Sequence, residues 1–312
     1  MNKEQVNGRL IVAFGALALS FDVPLVKLGQ AEFWSMIALR SFATFAVAIV
    51  VWGIARLFTS YRPALMPGRA AVLYGFFFGL AMLGFLAAIY HTSAANAVFI
   101  IAFNPTFCAL LAWIVFKERP SVSTVIAMAI MVFGVLLIVG GGLTGGHLFG
   151  DLLAAAAALA LACAITAGRM ATKPLGLAPL IAAIFPGVVG LFFVTQGGYA
   201  VSSPEWILLD GLIVMPIAYW CLAVGPRYLS GAEVGMFYLL ETVLAPVWLW
   251  LIFKDAPSTM TLVGGALIIA ALAGHSLWQG RGTKPALLSD DPLQPAPATG
   301  SSHDSGDVKA DS

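Results

Sequence analysis

The sequence predicts an all-α integral membrane protein of ten transmembrane helices, arranged as two inverted five-helix repeats. Three observations carry that expectation. Hydrophobic residues make up 60% of the 312-residue chain and charged ones 10%, with a mean hydropathy of +0.94, values that no water-exposed surface of ordinary make-up gives. Ten windows of roughly 20 apolar residues, enough to cross about 30 Å of hydrocarbon, fit before residue 280. Finally, residues 90–133 and 227–270 align without a gap, nine of the 44 positions being identical.

The windows fall near residues 9–28, 33–57, 70–90, 94–116, 121–141, 149–169, 178–199, 206–225, 231–253 and 258–279. Short polar or turn-prone connections separate them, among them 56–69, 140–146 and Ser202-Ser203-Pro204, all too brief for a soluble domain. The expected organisation is an N-terminus over 1–8, a first repeat over 9–141, a second over 142–279 and a proline-rich tail over 280–312 that reads as disordered. Cations sit on alternate connections (Arg56, Arg62 and Arg69; Lys117 and Arg119; Arg169 and Lys173), against Lys254 alone on the other side. The positive-inside rule then places both termini in the cytoplasm of an inner-membrane protein. Five spans per repeat is an odd number, so the second copy enters the membrane reversed, an arrangement suited to alternating access.

The copies agree best at Trp113 to Ser121 and Trp250 to Ser258, where Phe-Lys-Glu/Asp-x-x-Pro-Ser recurs. Together with Ala38-Leu39-Arg40-Ser41-Phe42 on the second span and Glu241-x-x-x-x-Pro246 ahead of Lys254-Asp255, these junctions resemble the EamA-type branch of the drug/metabolite transporter superfamily, the amino-acid exporters among its members. The resemblance covers about residues 9–279 and implies carriage of a small solute, with Arg40 at the family's arginine position. The first span departs from the family's usual Trp-Gly-Ser/Ala-Asn, reading Leu19-Ser20-Phe21-Asp22-Val23-Pro24.

An ionisable group inside hydrocarbon costs at least about 2.5 kcal/mol on insertion scales, so Asp22, Arg40, Glu233 and Glu241 each need a partner or a function. Glu241 lies near the middle of its span, and Glu233, eight residues earlier, returns to the same helix face. At the repeat offset of 137 their counterparts are Asn104 and Asn96, so a central volume lined by two amides and two carboxylates is expected. The alternatives are an interhelical hydrogen bond for Glu241, a solvated helix-terminal acid for Glu233, and replacement of the hydrogen bond lost to Pro105 for Asn104. Asp22 and Arg40 either pair with each other or serve as an amine or proton site and a carboxylate clamp. Pro216 should break the eighth span beside Tyr219 and Trp220, which with Tyr238 and Phe103 complete the candidate substrate wall. Trp34 and Trp206 read as interfacial anchors. The small-residue rows Gly75-x-x-x-Gly79 and Ala266-x-x-x-Ala270-x-x-x-Gly274 read as packing seams, the latter alternatively as a dimer face.

Cys108, Cys163 and Cys221 lie in apolar runs as small core residues, and the histidines show no metal-ligand spacing. With no phosphate-binding Gly-x-x-x-x-Gly-Lys-Ser/Thr and no Gly-x-Ser-x-Gly, no built-in ATPase or hydrolase part is seen. The expected function is secondary transport: export of small polar or aromatic metabolites, amino acids first, with or without proton exchange. No cofactor, metal or nucleic acid is expected; the partners are the solute and membrane lipid, and the protein is a monomer or weak dimer. Import or broad drug carriage on the same fold is the alternative, and a lipid-modifying enzyme or an accessory subunit is the alternative class.

Overall fold

A computed structural model describes residues 3–58, 64–145, 147–171, 175, 177–224, 231–254 and 256–282, the side chains of 3–7, 142–145, 222–239, 276 and 279–282 excepted. The tail expected over 280–312 falls almost wholly outside these residues.

The helices in chain order are α1 (Lys3–Leu19), α2 (Asp22–Leu28), α3 (Phe33–Phe58), α4 (Gly68–His91), α5 (Ala94–Ile101), α6 (Asn104–Phe116), α7 (Val122–Gly145), α8 (Leu148–Arg169), α9 (Ala178–Ile181), α10 (Ile184–Gly197), α11 (Pro204–Leu209), a π-helical turn (Asp210–Val214), α12 (Met215–Val224), α13 (Gly231–Phe253) and α14 (Thr259–Gly282). Among the described residues eight stretches are long and apolar enough to span a bilayer, rather than the ten expected. The ninth and tenth expected spans fall on α13 and α14, which are only partly described and contribute the shorter apolar stretches Leu240–Phe253 and Thr259–His275. α1 begins at Lys3, so the segment expected to precede the first span is already helical.

Several spans are broken, and prolines account for the breaks. A proline lacks the N–H that would bond the carbonyl four residues back, and its ring crowds that carbonyl. Pro24 follows the interruption between α1 and α2, Pro105 that between α5 and α6, and Pro186 that between α9 and α10. Pro216 was expected to break its span; instead the turn ahead of it widens to the π-helical Asp210–Val214, and the helix continues through the proline. At Pro186 the carbonyl four residues back belongs to Ala182, which accepts the Phe185 N–H at 3.2 Å instead. Gly79 of α4 lies directly against it, since a Cβ on Gly79 would come within 2.8 Å of that oxygen.

The two aligned junctions share local geometry. Lys117 and Lys254 both end their helices with left-handed backbone, at φ 60° and 57°. Four residues on, Ser121 Oγ accepts the N–H of Thr124 at 3.2 Å, and Ser258 Oγ accepts that of Thr261 at 3.1 Å. Helix pairing follows the same scheme: α4 packs on α8 and α1 on α12, while α3 pairs with α10 and α7 with α14.

Small residues set the closest approaches. Gly134 of α7 and Gly264 of α14 meet backbone to backbone, a Cβ on either coming within 2.8 or 2.5 Å of the other's carbonyl oxygen. Gly75 and Gly79 act as the packing seam expected of them, against Met66 and Ala182. The row Ala266, Ala270 and Gly274 does not: all three are exposed on the outer face of α14, and the neighbouring turn supplies the contact through Gly264 and Gly265.

At the end of the bundle carrying the 29–32 and 198–203 connections, the two segments are stitched together. Ala31 and Val201 form an antiparallel bridge, flanked by Glu32 N–H to Ala200 O at 2.9 Å and Ser203 N–H to Gly29 O at 3.1 Å. The Tyr90 hydroxyl donates to Ala31 O at 2.9 Å, and Trp34 stacks on Phe193 at 4.1 Å. At the opposite end one described backbone bond, Leu177 N–H to Ala64 O at 3.5 Å, links the corresponding connections, and Arg169 Nη2 binds both oxygens of Glu118 at 2.7 and 2.9 Å.

Gly264→Leu should lower stability by about 1–3 kcal/mol, because the added side chain runs into the α7 backbone at Gly134 and the Ile138 side chain. Gly274→Ala, with nothing within 4 Å, should leave it unchanged. Thermal unfolding of the purified variants checks both.

Candidate functional site

Arg40 lies two turns into α3 and is only 2% exposed. Its Nη2 donates to Asp22 Oδ1 at 2.7 Å, and its Nε donates to Asp210 Oδ2 at 2.6 Å. Asp22 is the first residue of α2, placed there by the interruption at Ser20 and Phe21. Asp210 opens the π-helical turn and is fully buried. Three expected spans thus converge on one guanidinium.

The backbone is arranged to permit this. A Cβ on Gly211 would come within 2.7 Å of Arg40 O, so only glycine lets the π-helical turn lie against α3. Thr44, one turn beyond Arg40, donates its hydroxyl to Arg40 O at 3.1 Å and to Gly211 O at 3.0 Å, tying the same two segments.

The charges do not balance. One guanidinium faces two carboxylates, and Asp210 Oδ1 is buried with no hydrogen-bond partner. Glu241, half-buried on α13, lies within electrostatic range of Asp22 and adds a third acid to the neighbourhood. Tyr219 is within range of Arg40, Asp22 and Tyr74, and its ring meets Phe78 of α4 edge-on at 5.5 Å. Trp248 stacks on Phe21 at 4.9 Å and donates its indole N–H to Ser20 Oγ at 3.0 Å, docking α13 onto the interruption that carries Asp22. The arrangement suits a positively charged group, with aromatic surface for whatever that group is attached to.

Of the residues singled out from sequence, Asp22, Arg40, Tyr219 and Glu241 come together here. Asn104 does not join them: its Nδ2 donates to Ala158 O of α8 at 2.8 Å and its Oδ1 accepts from Cys108 Sγ at 3.4 Å. That amide holds two helices together. Phe103 is buried beside it, edge-on to Phe107. Asn96 belongs to a different polar group, around Asp151. Trp220 is 60% exposed on the face shared with Ile213 and Ile217, turned away from the Arg40 group by its position one residue past Tyr219. Glu233 and Tyr238 lie on α13, but their side chains are outside the described residues. A carboxylate clamp at Arg40 is not what the geometry offers, because Nε and Nη2 are already engaged by the two aspartates.

Sequence reasoning missed Asp210, Asp151, Tyr74 and Phe78. The signal for Asp210 was a proline six residues on, since a span disturbed by Pro216 leaves backbone and acid to be satisfied by neighbours. A cavity of about 380 Å³ lies elsewhere, between α6, α7 and α14 beside Pro105, Arg119, Thr124 and His275, and none of the predicted site residues lines it. Among the described residues no three His, Cys, Asp or Glu side chains group as a metal site.

An all-helical multi-pass membrane protein with a charged group sealed among its spans is the class these features define. Residues 6–140 match the EamA-like transporter family, which agrees with the resemblance of the sequence to the EamA-type branch of the drug/metabolite transporter superfamily and supports a membrane transporter. The chain is 24% identical over 209 residues to the uncharacterized transporter YdfC of Bacillus subtilis, covering 61% of this chain and 68% of that one. It is 28% identical over 100 residues to a UPF0060 membrane protein of Methylibium petroleiphilum, covering 28% of this chain and 88% of the relative. A solved crystal structure shares the fold with a TM-score of 0.62 at 19% identity, covering 89% of this chain and 99% of its own.

Arg40→Leu would leave two buried acids unpaired and should cost about 3–5 kcal/mol, seen as loss of monodisperse protein in detergent. Adding Asp22→Asn and Asp210→Asn to that variant should restore much of the folded yield.

Proposed function

We propose that this protein is a secondary transporter that exports small polar or aromatic metabolites, amino acids first, across the inner membrane by alternating access. The observation that carries the reading is the surplus of acidic side chains around Arg40. A buried guanidinium is neutralised by one carboxylate, yet Asp22 and Asp210 both bind it, with Glu241 close by. The ammonium group of an amino acid complements that surplus, and the Tyr219 and Phe78 rings suit an apolar side chain. Exchange of a proton for the substrate's positive charge would keep the site electrically compensated throughout a cycle.

Alternating access is supported by the pairing of helices. Exchanging the two halves turns the α4 with α8 contact into the α1 with α12 contact and leaves the α3 with α10 and α7 with α14 pairs as they are. That reciprocity supports the reading of an inverted repeat, as do the cations on alternate connections, which argue for cytoplasmic termini. One end of the bundle is tied by the bridge at Ala31 and Val201, as in a carrier at rest with that side closed.

Proteoliposomes containing the purified chain should exchange labelled phenylalanine or another aromatic amino acid faster than empty vesicles. Glu241→Gln should cut that exchange by about tenfold or more while leaving folded yield intact. Exchange equal to that of empty vesicles for every amino acid tested would sink the substrate reading; undiminished exchange by Glu241→Gln would remove that residue from the site.

A further inference from the structure

A second buried carboxylate lies apart from the Arg40 group and takes no part in the proposed transport site. Asp151, in the first turn of α8, is fully buried. Its Oδ1 accepts the Thr92 hydroxyl at 2.6 Å and the Asn96 amide at 3.3 Å. Its Oδ2 is buried with no partner, and no described Lys or Arg forms an ion pair with it. Asn96 Oδ1 in turn accepts the Thr261 hydroxyl at 2.6 Å, and Thr261 shares a 2.9 Å hydrogen bond with Ser258. A continuous run of hydrogen bonds therefore links side chains from the end of α4, from α5, from α8 and from the start of α14.

We propose that a small monovalent cation, Na⁺, binds at the unpartnered Asp151 Oδ2, with the oxygens of Thr92 and Asn96, turned from the hydrogen bonds they now donate to Oδ1, as neighbouring ligands and Thr261 behind Asn96. Hard cations of this kind take carboxylate, hydroxyl and amide oxygens and no sulfur or imidazole, which is the donor set present. A bare carboxylate oxygen in hydrocarbon lacks compensation from any described side chain, and a bound cation supplies it. The helix N-terminus of α8 favours an acid at position 151 on its own, but its field leaves Oδ2 without a donor.

Close packing makes the site sensitive to occupancy. A Cβ on Gly150 would come within 2.4 to 2.6 Å of the His91 to Thr92 peptide, so α8 and the α4 to α5 junction touch through their backbones beside Asp151. An ion drawing Asp151 and Thr92 together ties these elements and Asn96 to α14, and stabilises the whole protein by linkage.

The test is thermal unfolding of the full chain in detergent at fixed ionic strength, with choline chloride replaced stepwise by NaCl. The unfolding midpoint should rise saturably, by about 2–4 °C at ten times the dissociation constant. Asp151→Asn and Thr92→Val should each abolish the rise. Should Asp151→Asn fail to fold, binding of ²²Na⁺ to the unmodified protein, displaced by unlabelled NaCl and not by choline chloride, carries the same decision. A midpoint indifferent to Na⁺, a rise retained in Asp151→Asn, or the absence of displaceable ²²Na⁺ overturns the proposal.

Discussion

A single guanidinium held between two carboxylates in the interior of an apolar bundle is the constraint around which the rest of the structure is arranged. Arg40 can stay charged there only because Asp22 and Asp210 reach it from other helices. To bring Asp22 in, the first span must be interrupted; to bring Asp210 in, the turn before Pro216 must widen and its glycine must lie against α3. Breaking such a buried group by removing one partner is costly, far more than the group's net contribution to stability, so each member constrains the others.

Departures from regular helix in this chain follow from covalent chemistry and serve the polar groups. Each proline leaves a carbonyl four residues earlier without its usual donor, which hydrocarbon does not tolerate. Ahead of Pro186 the Ala182 carbonyl takes the Phe185 N–H at 3.2 Å in place of the missing one, and the bare Cα of Gly79 lets α4 lie against it. Where Pro24 follows the first interruption, the indole of Trp248 binds Ser20 Oγ and its ring covers Phe21. A small residue at one break and an aromatic ring at the other thus pack directly against the interrupted backbone.

The class of fold was legible because hydrophobic windows and repeated junctions are long-range signals that a single residue cannot obscure. Lys117 and Lys254, aligned in the sequence, share left-handed backbone in the structure, and Ser121 and Ser258 share the cap. Of the site, the charged residues legible in sequence were those inside an apolar window, where no cheap explanation was available: Asp22, Arg40 and Glu241. Asp210 and Asp151 escaped because both sit a few residues from the start of an expected span, where an acid is ordinarily hydrated and unremarked. Burial at those positions comes from neighbouring helices that are remote in sequence. The equivalence of Asn104 and Glu241 was legible as an alignment but not as a contact, since Asn104 is committed to Ala158 on a helix outside the aligned segment.

The proline-linked interruptions bear on mechanical compliance. Bending an intact helix stretches or ruptures several backbone hydrogen bonds at once. At the α1 to α2 and α9 to α10 junctions the bond opposite the proline never existed, so tilting one segment against the next meets mainly torsional and packing resistance. Half-spans carrying Asp22 on one side of the bundle, and the Ala182 carbonyl on the other, are therefore the softest joints along their helices, and deformation of the protein under load concentrates there rather than in the unbroken α4, α7 and α8.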